Sequence, residues 1–189
     1  MNNIEKILED SRALLSGHFK LTSGRHSDRY IEKIKIINQP DKVVELCKSL
    51  TERLKDIDCD IVVGPAMGGI VLAFEVAKNL GKKFVFTQRK DGKMTIRSGF
   101  EVKAGNKAII IEDIVTTGGS VREVIDILLS KGVKVEAIGL IADRTGGKID
   151  FGVRKEALLE IKIESWKEDV CPLCKKGIPL TKPGSSDKK

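Results

Sequence analysis

The chain has 189 residues, a length expected of one domain that buries its core without disulfides or bound metal. Its net charge of +7 suits polyphosphate ligands as well as nucleic acid, but an aromatic content of only 4% disfavours the base-stacking surfaces that bind single strands. The start has no secretion-signal pattern, and no apolar stretch approaches the roughly 20 residues of a membrane span. We therefore expect a cytoplasmic protein that does not bind a membrane. Because of its low aromatic content, we also expect it not to bind nucleic acid.

Helices and strands are predicted to alternate along most of the chain. An amphipathic pattern over residues 4–15 predicts a first helix, which Gly17 ends, and the polar stretch 16–30 predicts short strands or a hood. A second helix is predicted to begin at Pro40. Short apolar runs predict strands at residues 60–63, 84–86, 108–111 and 133–142, and helices between them.

This alternation predicts an α/β fold with a largely parallel sheet flanked by helices. Ligands of such sheets gather at the carboxyl ends of the strands. We expect residues 1–180 to form a single domain and the polar residues 181–189 to form a tail.

The most informative segment spans residues 109–120. Its apolar strand ends in Glu112 and Asp113, and a turn of threonines, glycines and a serine then leads into an amphipathic helix. Backbone N–H groups of such a turn and of a helix N-terminus bind phosphate. The Gly-Lys-Ser/Thr ending of a Walker A loop is missing, and the two carboxylates suit sugar hydroxyls or a magnesium environment. The alternative is an ordinary capped turn between a strand and a helix.

Two further loops follow predicted strands. The glycine-rich loop at residues 64–69 allows close approach of a diphosphate, although its glycines could equally serve the turn alone. Arg144 follows the strand that ends near Ala142. Its guanidinium could bind a ligand, and the alternative is a surface turn with an exposed arginine.

A third loop, at residues 88–99, is strongly basic. Met94 and Ile96 are its only sizeable apolar residues, which predicts a mobile segment that cannot pack deeply. We interpret it as a basic lid that excludes water and supplies cations to a departing anion, and the alternative is a solvated charged surface. Its cations are Arg89, Lys90, Lys93 and Arg97.

The segment 109–120 resembles the 5-phosphoribosyl 1-diphosphate (PRPP) motif of type I phosphoribosyltransferases. Nearly the whole chain resembles one bacterial and archaeal branch of orotate phosphoribosyltransferases. The resemblance rests on residues 17–27, 64–70, 112–120, 143–144, 171–174 and 182–185. It implies the type I fold, with a small hood formed by about residues 1–35 and a C-terminal segment.

The resemblance also implies the reaction. Orotate and PRPP would give orotidine 5′-monophosphate and diphosphate in pyrimidine (UMP) biosynthesis, with Mg²⁺ as cofactor. The partners implied are these two substrates and a second copy of the chain, in a homodimer whose lid reaches the neighbouring site.

Site residues follow from the resemblance and from an oxocarbenium-like transition state. The implied catalytic residues are Glu112 and Asp113, which accept from ribose hydroxyls, and Lys93, which neutralises the leaving diphosphate. The implied PRPP-binding residues are Arg89, Lys90, Lys93, Glu112, Asp113, Ile114, Val115, Thr116, Thr117, Gly118, Gly119 and Ser120. Thr116 and Arg144 would contact orotate. Magnesium would be bound through the substrate and not directly by protein side chains.

The chain departs from the enterobacterial pattern of this family. Thr22 and Gly68 stand where that pattern has lysines, and Thr95 replaces a lid histidine. Two diphosphate contacts are therefore missing or relocated. Candidates for compensation are Arg25, His26 and Arg97.

Four cysteines leave several possibilities open. Cys47 lies on an apolar helix face, as a small core residue does, and Cys59 precedes a strand. Cys171 and Cys174 form a single CxxC pair, which is a weak zinc signal alone. Either the two histidines, His18 and His26, or the two other cysteines would be needed to complete a site. A disulfide and plain thiols are the alternatives.

Two rival functions remain at this level. The same fold acts on other bases, such as purines, although the N-terminal block then has the wrong pattern. A PRPP-sensing regulator that binds nucleic acid would fit the positive charge, but the acidic first helix does not suit DNA or RNA.

Overall fold

The computed structural model describes residues 3–21 and 23–183. The chain divides into two compact units. Residues 40–161 form one, here called the sheet unit, and the parts of the chain before and after it form the other, here called the terminal unit. The single domain expected over residues 1–180 stays a prediction, and most of the predicted tail lies outside the described residues.

Helices and strands follow one another through most of the described chain. In chain order they are α1 (Asn3–Asp10), β1 (Leu14–Lys20), β2 (His26–Ile31), α2 (Ile34–Ile37), α3 (Pro40–Leu54), β3 (Ile61–Pro65), α4 (Gly68–Leu80), β4 (Lys83–Lys90), β5 (Lys93–Ile96), β6 (Lys107–Val115), α5 (Gly119–Ser130), β7 (Lys134–Asp143), β8 (Arg154–Glu160) and α6 (Pro172–Lys175). No helix among the described residues has the length and apolar character needed to cross a membrane.

The sheet unit contains a six-stranded sheet in the order β5-β4-β3-β6-β7-β8. All neighbouring strands run parallel except β5, which pairs antiparallel with β4. The α/β fold with a largely parallel sheet is therefore confirmed. Because parallel strands share one direction, the ends of β3, β6 and β7 open at the same edge.

The central strand β6 and the helix α5 are both anchored in the core of the sheet unit. Residues 108–111 are completely buried, as expected for an apolar run in a parallel strand covered on both faces. Val121, Val124 and Leu128 of α5 form a buried cluster with Ala108 and Ile110 on one face of the strand. Burying each such side chain contributes about 1.5–3 kcal/mol, which anchors the helix that starts beside the end of β6.

The terminal unit corrects the prediction of a first helix over residues 4–15. The helix ends at Asp10, and Leu14 and Leu15 belong to β1. Arg12 adopts a positive φ of 55°, while the amide of Ala13 donates to the Leu8 carbonyl (2.8 Å). This is a Schellman-type end with arginine in the position that glycine usually takes, so no glycine marked it in the sequence.

Short strands were predicted in the polar stretch, and the terminal unit contains them. β1 and β2 form an antiparallel hairpin with a register shift between Ser16 and Phe19. The C-terminal segment pairs with both strands: the amide of Thr181 donates to the His18 carbonyl, and that of Trp166 to the His26 carbonyl, each at 2.8 Å. Distant ends of the chain thus form one unit.

Candidate active site

The strand β6 extends further than the sequence predicts. It runs to Val115, so Glu112 and Asp113 lie within the strand and not in the following turn. The turn begins at Thr116, and α5 starts at Gly119. Gly118 has a φ of +77°, and any Cβ there would overlap the side chain of Ile149. Only glycine fits this position, which fixes the direction in which the chain enters the helix.

A small cavity of about 70 Å³ lies at this junction. It is lined by Glu112 and by residues 114–121. The side chains of Thr116, Thr117 and Ser120 are exposed beside it. Because the first N–H groups of a 12-residue helix point toward this turn, the cavity has the polarity that an anion requires.

Both carboxylates are buried, Glu112 with 8% and Asp113 with 4% of its surface exposed. Asp113 does not end the strand as the sequence predicts, and it is buried because the strand continues past it. The amide of Asp113 donates to Glu112 Oε1 (2.9 Å), and the amide of Ile114 donates to Asp113 Oδ1 (2.6 Å). These bonds from the backbone hold each carboxylate in a defined orientation and offset part of its loss of hydration.

The glycine-rich loop between β3 and α4 packs against the same strand end. A Cβ at Gly68 would overlap the carboxylate of Asp113, and one at Gly69 would lie 2.8 Å from the Ile111 carbonyl oxygen. The peptide bond between Ala66 and Met67 is cis. The carboxylate of Asp113 thus occupies the space that a side chain at position 68 would need, which explains physically why this chain has glycine and not lysine there.

Arg144 follows β7 at the same edge. Val115 pairs with Asp143, so Thr116 and Arg144 both come directly after paired residues, and the Arg144 amide donates to the Val115 carbonyl (2.9 Å). The side chain of Arg144 is half-buried. The sheet therefore brings the two residues predicted to contact orotate together.

Sequence analysis did not identify the hydrogen bonds that hold Asp143, the residue before Arg144. Asp143 is completely buried, and its carboxylate accepts from Lys155 Nζ (2.6 Å) and from the amide (2.8 Å) and hydroxyl (2.6 Å) of Thr145. Burial alone raises the pKa of Asp143, but the bonds from Lys155 and Thr145 outweigh it and hold the pKa below its usual value. Lys155 lies on β8, for which the sequence gives no strand signal.

The predicted lid is an ordered hairpin in this structure. β4 and β5 pair from Thr87 with Ile96 to Lys90 with Lys93. Asp91 and Gly92 both have positive φ, 51° and 77°, as a two-residue hairpin turn requires. The segment predicted as a loop is thus a paired hairpin, and its apolar residues, although only partly buried, pack against the buried cluster of the sheet unit. These residues are Met94 and Ile96.

The cations of the hairpin are exposed. Arg89 Nη2 donates to Glu123 Oε1 on α5 (2.8 Å), while Lys90 and Lys93 flank the turn. None of the three lines the cavity at the end of β6. The structure thus brings together Glu112, Asp113, residues 114–120 and Arg144, and it keeps the basic residues on a separate element.

The candidates for replacing the missing lysines lie in different places. Arg25 bonds to the hydroxyl (2.9 Å) and carbonyl of Ser165 within the terminal unit, and His26 contacts other side chains of that unit. Arg97 is exposed just after β5. Thr22 lies outside the described residues.

A larger depression of about 370 Å³ lies at the opposite edge of the sheet. Its lining includes Asp60, Lys82, Lys83 and Asn106, which stand at the amino ends of strands. Side chains in parallel sheets converge for ligand binding at the carboxyl ends, so size alone does not make this depression the active site.

Comparison with known proteins identifies the family of the chain. The model of the phosphoribosyl transferase domain matches residues 34–170. The orotate phosphoribosyltransferase of Desulforamulus reducens is 45% identical over 186 residues, which cover 97% of both chains. That of Thermotoga maritima is 47% identical over 182 residues, which cover 96% of this chain and 97% of the relative.

Solved structures show the same fold. The orotate phosphoribosyltransferase of Aeropyrum pernix superimposes with a TM-score of 0.70 at 26% identity, over 82% of this chain and 92% of that chain. An adenine phosphoribosyltransferase from Rhodothermus marinus gives a TM-score of 0.65 at 16% identity, over 82% and 98%, which reflects the fold alone. With relatives of about 45% identity along nearly its whole length, the chain belongs to the orotate phosphoribosyltransferase family.

Proposed function

We propose that the protein transfers the 5-phosphoribosyl group from PRPP to orotate, giving orotidine 5′-monophosphate and diphosphate in UMP biosynthesis. The observation that carries the proposal is the pairing of Val115 with Asp143. It sets a turn suited to phosphate, two buried carboxylates and Arg144 side by side. Relatives named for this reaction match nearly the whole chain, including the N-terminal block.

Positioning and electrostatics carry the reaction. The 5-phosphate binds at the turn 116–120, where N–H groups and hydroxyls meet the start of α5. Glu112 and Asp113 accept hydrogen bonds from the ribose hydroxyls and stabilise the positive charge that develops at C1. Arg144 and Thr116 hold orotate, since a guanidinium suits its carboxylate and carbonyl oxygens. A fixed sugar and a fixed base approach each other at the reacting carbon.

Magnesium fits this arrangement. The buried carboxylates Glu112 and Asp113 give the site the oxygen-rich, negative character that Mg²⁺ prefers, beside the oxygens of ribose and diphosphate. Bound through substrate oxygens, Mg²⁺ would neutralise charge on the leaving diphosphate. The protein residues orient the sugar that carries these oxygens.

The β4–β5 hairpin serves as the lid of a neighbouring subunit in a homodimer. Its tip carries Lys90 and Lys93 on exposed backbone, and Arg89 pairs with Glu123 of its own chain. A surface pair of this kind is worth at most about 1 kcal/mol, so it releases readily when diphosphate offers a stronger partner. Support for this role comes from the exposure of the cations and from their separation from the cavity.

We place this activity in the cytoplasm, without a nucleic-acid or membrane partner. None of the four cysteines, all within the described residues, forms a disulfide, as is typical of a reducing compartment. PRPP and orotate are small anions that need no macromolecular partner for recognition.

Base selection tests the proposal. The purified protein is mixed with PRPP, Mg²⁺ and one of orotate, uracil, hypoxanthine, guanine or adenine, and diphosphate release is measured. We expect orotate alone to be consumed rapidly. Turnover of a purine with orotate inert would contradict the proposal, and Asp113→Asn provides the control for contaminating activity.

A further inference from the structure

Four side chains with metal-binding atoms meet in the terminal unit, outside the active site. His18 lies on β1, His26 begins β2, Cys171 directly precedes α6, and Cys174 lies within α6. His18 Nε2, His26 Nδ1 and the two Sγ atoms all lie within 4.8 Å of one another. The first three side chains are buried, and Cys174 is partly buried. We call these four residues the Cys2His2 cluster.

The spacing of these atoms is close to that of a tetrahedral zinc site. Zn–N bonds of about 2.0–2.1 Å and Zn–S bonds of about 2.3 Å give ligand-to-ligand edges of roughly 3.3–3.8 Å. In the cluster, His18 Nε2 lies 3.0 Å from His26 Nδ1, 3.5 Å from Cys171 Sγ and 3.7 Å from Cys174 Sγ. His26 Nδ1 lies 3.2 Å from Cys174 Sγ. Small adjustments suffice to place one ion among all four atoms.

The hydrogen bond behind His18 fixes how its ring faces the cluster. His18 Nδ1 lies 2.8 Å from the carbonyl oxygen of Ile178, which can only accept, so Nδ1 carries the proton. Neutral His18 then directs the lone pair of Nε2 at His26. A ligating histidine whose other ring nitrogen donates to a backbone carbonyl is the usual arrangement in metal sites.

The two other cysteines provide an internal contrast. Cys47 Sγ lies in the core of the sheet unit, 3.7 Å from the Leu72 carbonyl, and burial, reinforced by the nearby charge of Glu75, raises its pKa to about 12. Cys59 is also buried there. Neither belongs to the metal-binding cluster found among the described residues. Cys47 and Cys59 thus lie outside the group of metal-binding side chains found among the described residues, whereas Cys171 and Cys174 lie beside two imidazoles.

We infer that His18, His26, Cys171 and Cys174 bind one Zn²⁺ as a closed structural site. Two nitrogen and two sulfur ligands with no carboxylate suit zinc and leave no coordination position for a reactant. The ion would join the β1–β2 hairpin to the C-terminal segment, since His18 and Cys171 are 153 residues apart in the chain.

Such a link has a clear physical role. The terminal unit has a small core, and the contacts between its two parts of the chain are short: strand pairings of Phe19 with Thr181 and of His26 with Trp166, and single side-chain hydrogen bonds such as those from Arg25 to Ser165. Small units commonly need a metal or a disulfide to reach a stable fold. Zinc bound only by the folded unit stabilises it through the free energy of binding.

Metal content tests the inference directly. The wild-type chain, Cys174→Ser and the matched control Cys59→Ser are purified under reducing conditions with zinc in the growth medium, and bound metal is measured by mass spectrometry. We expect about one zinc per chain in the wild type and in the control, and a loss of at least tenfold in Cys174→Ser. A zinc-free wild-type protein, or full zinc in Cys174→Ser, would overturn the inference.

Cobalt substitution keeps the test decisive if Cys174→Ser fails to fold. Wild-type protein is stripped with a chelator and titrated with Co²⁺, and its absorption spectrum is recorded. We expect ligand-field bands of a tetrahedral ion together with thiolate-to-cobalt charge transfer, and a lower thermal midpoint for the stripped protein. An octahedral spectrum without charge transfer, or a Cys171–Cys174 disulfide in the isolated protein, would refute the zinc site. Neither readout uses orotate or PRPP.

Discussion

The carboxyl edge of β6 and β7 and the β4–β5 hairpin hold their functional groups in different ways. Glu112 and Asp113 are buried and fixed by backbone amides, whereas Arg89 is exposed and held by one surface ion pair. Buried strand ends give reacting groups the narrow positional tolerance that catalysis needs, and exposed hairpins can move without disturbing the core. Under the proposed function, sugar positioning and charge neutralisation therefore fall to separate parts of the molecule.

The largest effect is expected from Asp113→Asn at the rigid edge. The change keeps the size of the side chain and removes one negative charge beside the ribose, so turnover should fall roughly 10²-fold or more. The thermal midpoint should change little, because asparagine retains an oxygen that accepts from the Ile114 amide. Steady-state kinetics with saturating orotate and PRPP measure the change.

The control for this variant is Asp126→Asn, on the exposed side of α5. It removes the same charge from the same unit and should retain full turnover. A well-folded Asp113→Asn variant as active as this control would remove Asp113 from the mechanism.

A smaller effect, about tenfold, is expected from Lys93→Ala on the hairpin, since one cation among several is lost from the leaving group. Turnover should fall more than the affinity for inorganic phosphate, which reports the 5-phosphate end of the site. Parallel kinetics and phosphate titrations separate the two quantities.

Mixing Lys93→Ala with Asp113→Asn sharpens the comparison further. In a mixed dimer, one site regains an intact Asp113 and an intact lid from the partner chain, so activity should exceed the sum of the parents. If subunit exchange is verified and activity stays at that sum, the hairpin does not act across subunits.

Gly68→Ala should lower turnover several-fold, an effect between those of Lys93→Ala and Glu123→Gln. It should also lower the free energy of unfolding by about 1–3 kcal/mol. The added methyl overlaps the Asp113 carboxylate and must displace it. Met67→Ala in the same loop is the control, because Met67 is 82% exposed. Equal stability and activity for the two variants would show that the packing of the loop against Asp113 has no consequence.

The smallest effect is expected from Glu123→Gln, which releases Arg89. A half-exposed pair contributes about 0.2–1 kcal/mol, and high salt should erase the difference from the wild type. Asp56→Asn, which breaks the exposed pair with Arg154, is the matched control for stability. A large, salt-independent loss in Glu123→Gln alone would mean that the hairpin is anchored and not free to move.

Much of the rigid edge could be predicted from sequence because its signals are local. The apolar run of β6, the paired carboxylates and the turn into α5 are contiguous, and the largely parallel sheet follows from the alternation of elements. The length of β6 was less accessible, since two carboxylates normally end a strand, and here backbone amides and the adjacent Gly68 accommodate them.

The hairpin shows how composition can mislead. The Asp91-Gly92 pair between alternating residues is a strong hairpin signal, but the surrounding lysines and arginines favoured a loop. The strand β8 carries glutamate, alanine and leucine, which prefer helices, and it forms because β7 offers an edge to pair with.

For the Cys2His2 cluster, sequence reasoning left several possibilities open. Its histidines and cysteines are about 150 residues apart, and only the pairing of the C-terminal segment with β1 and β2 brings them together. Spacing within the CxxC pair alone could not choose between the two histidines and the two other cysteines as further ligands.

The most direct test of the central claim is a crystal structure with orotidine 5′-monophosphate bound. The account predicts the 5-phosphate at residues 116–120, ribose hydroxyls at Glu112 and Asp113, and the pyrimidine carboxylate at Arg144. Density for the nucleotide elsewhere, for example in the depression beside Asp60 and Lys82, would contradict it.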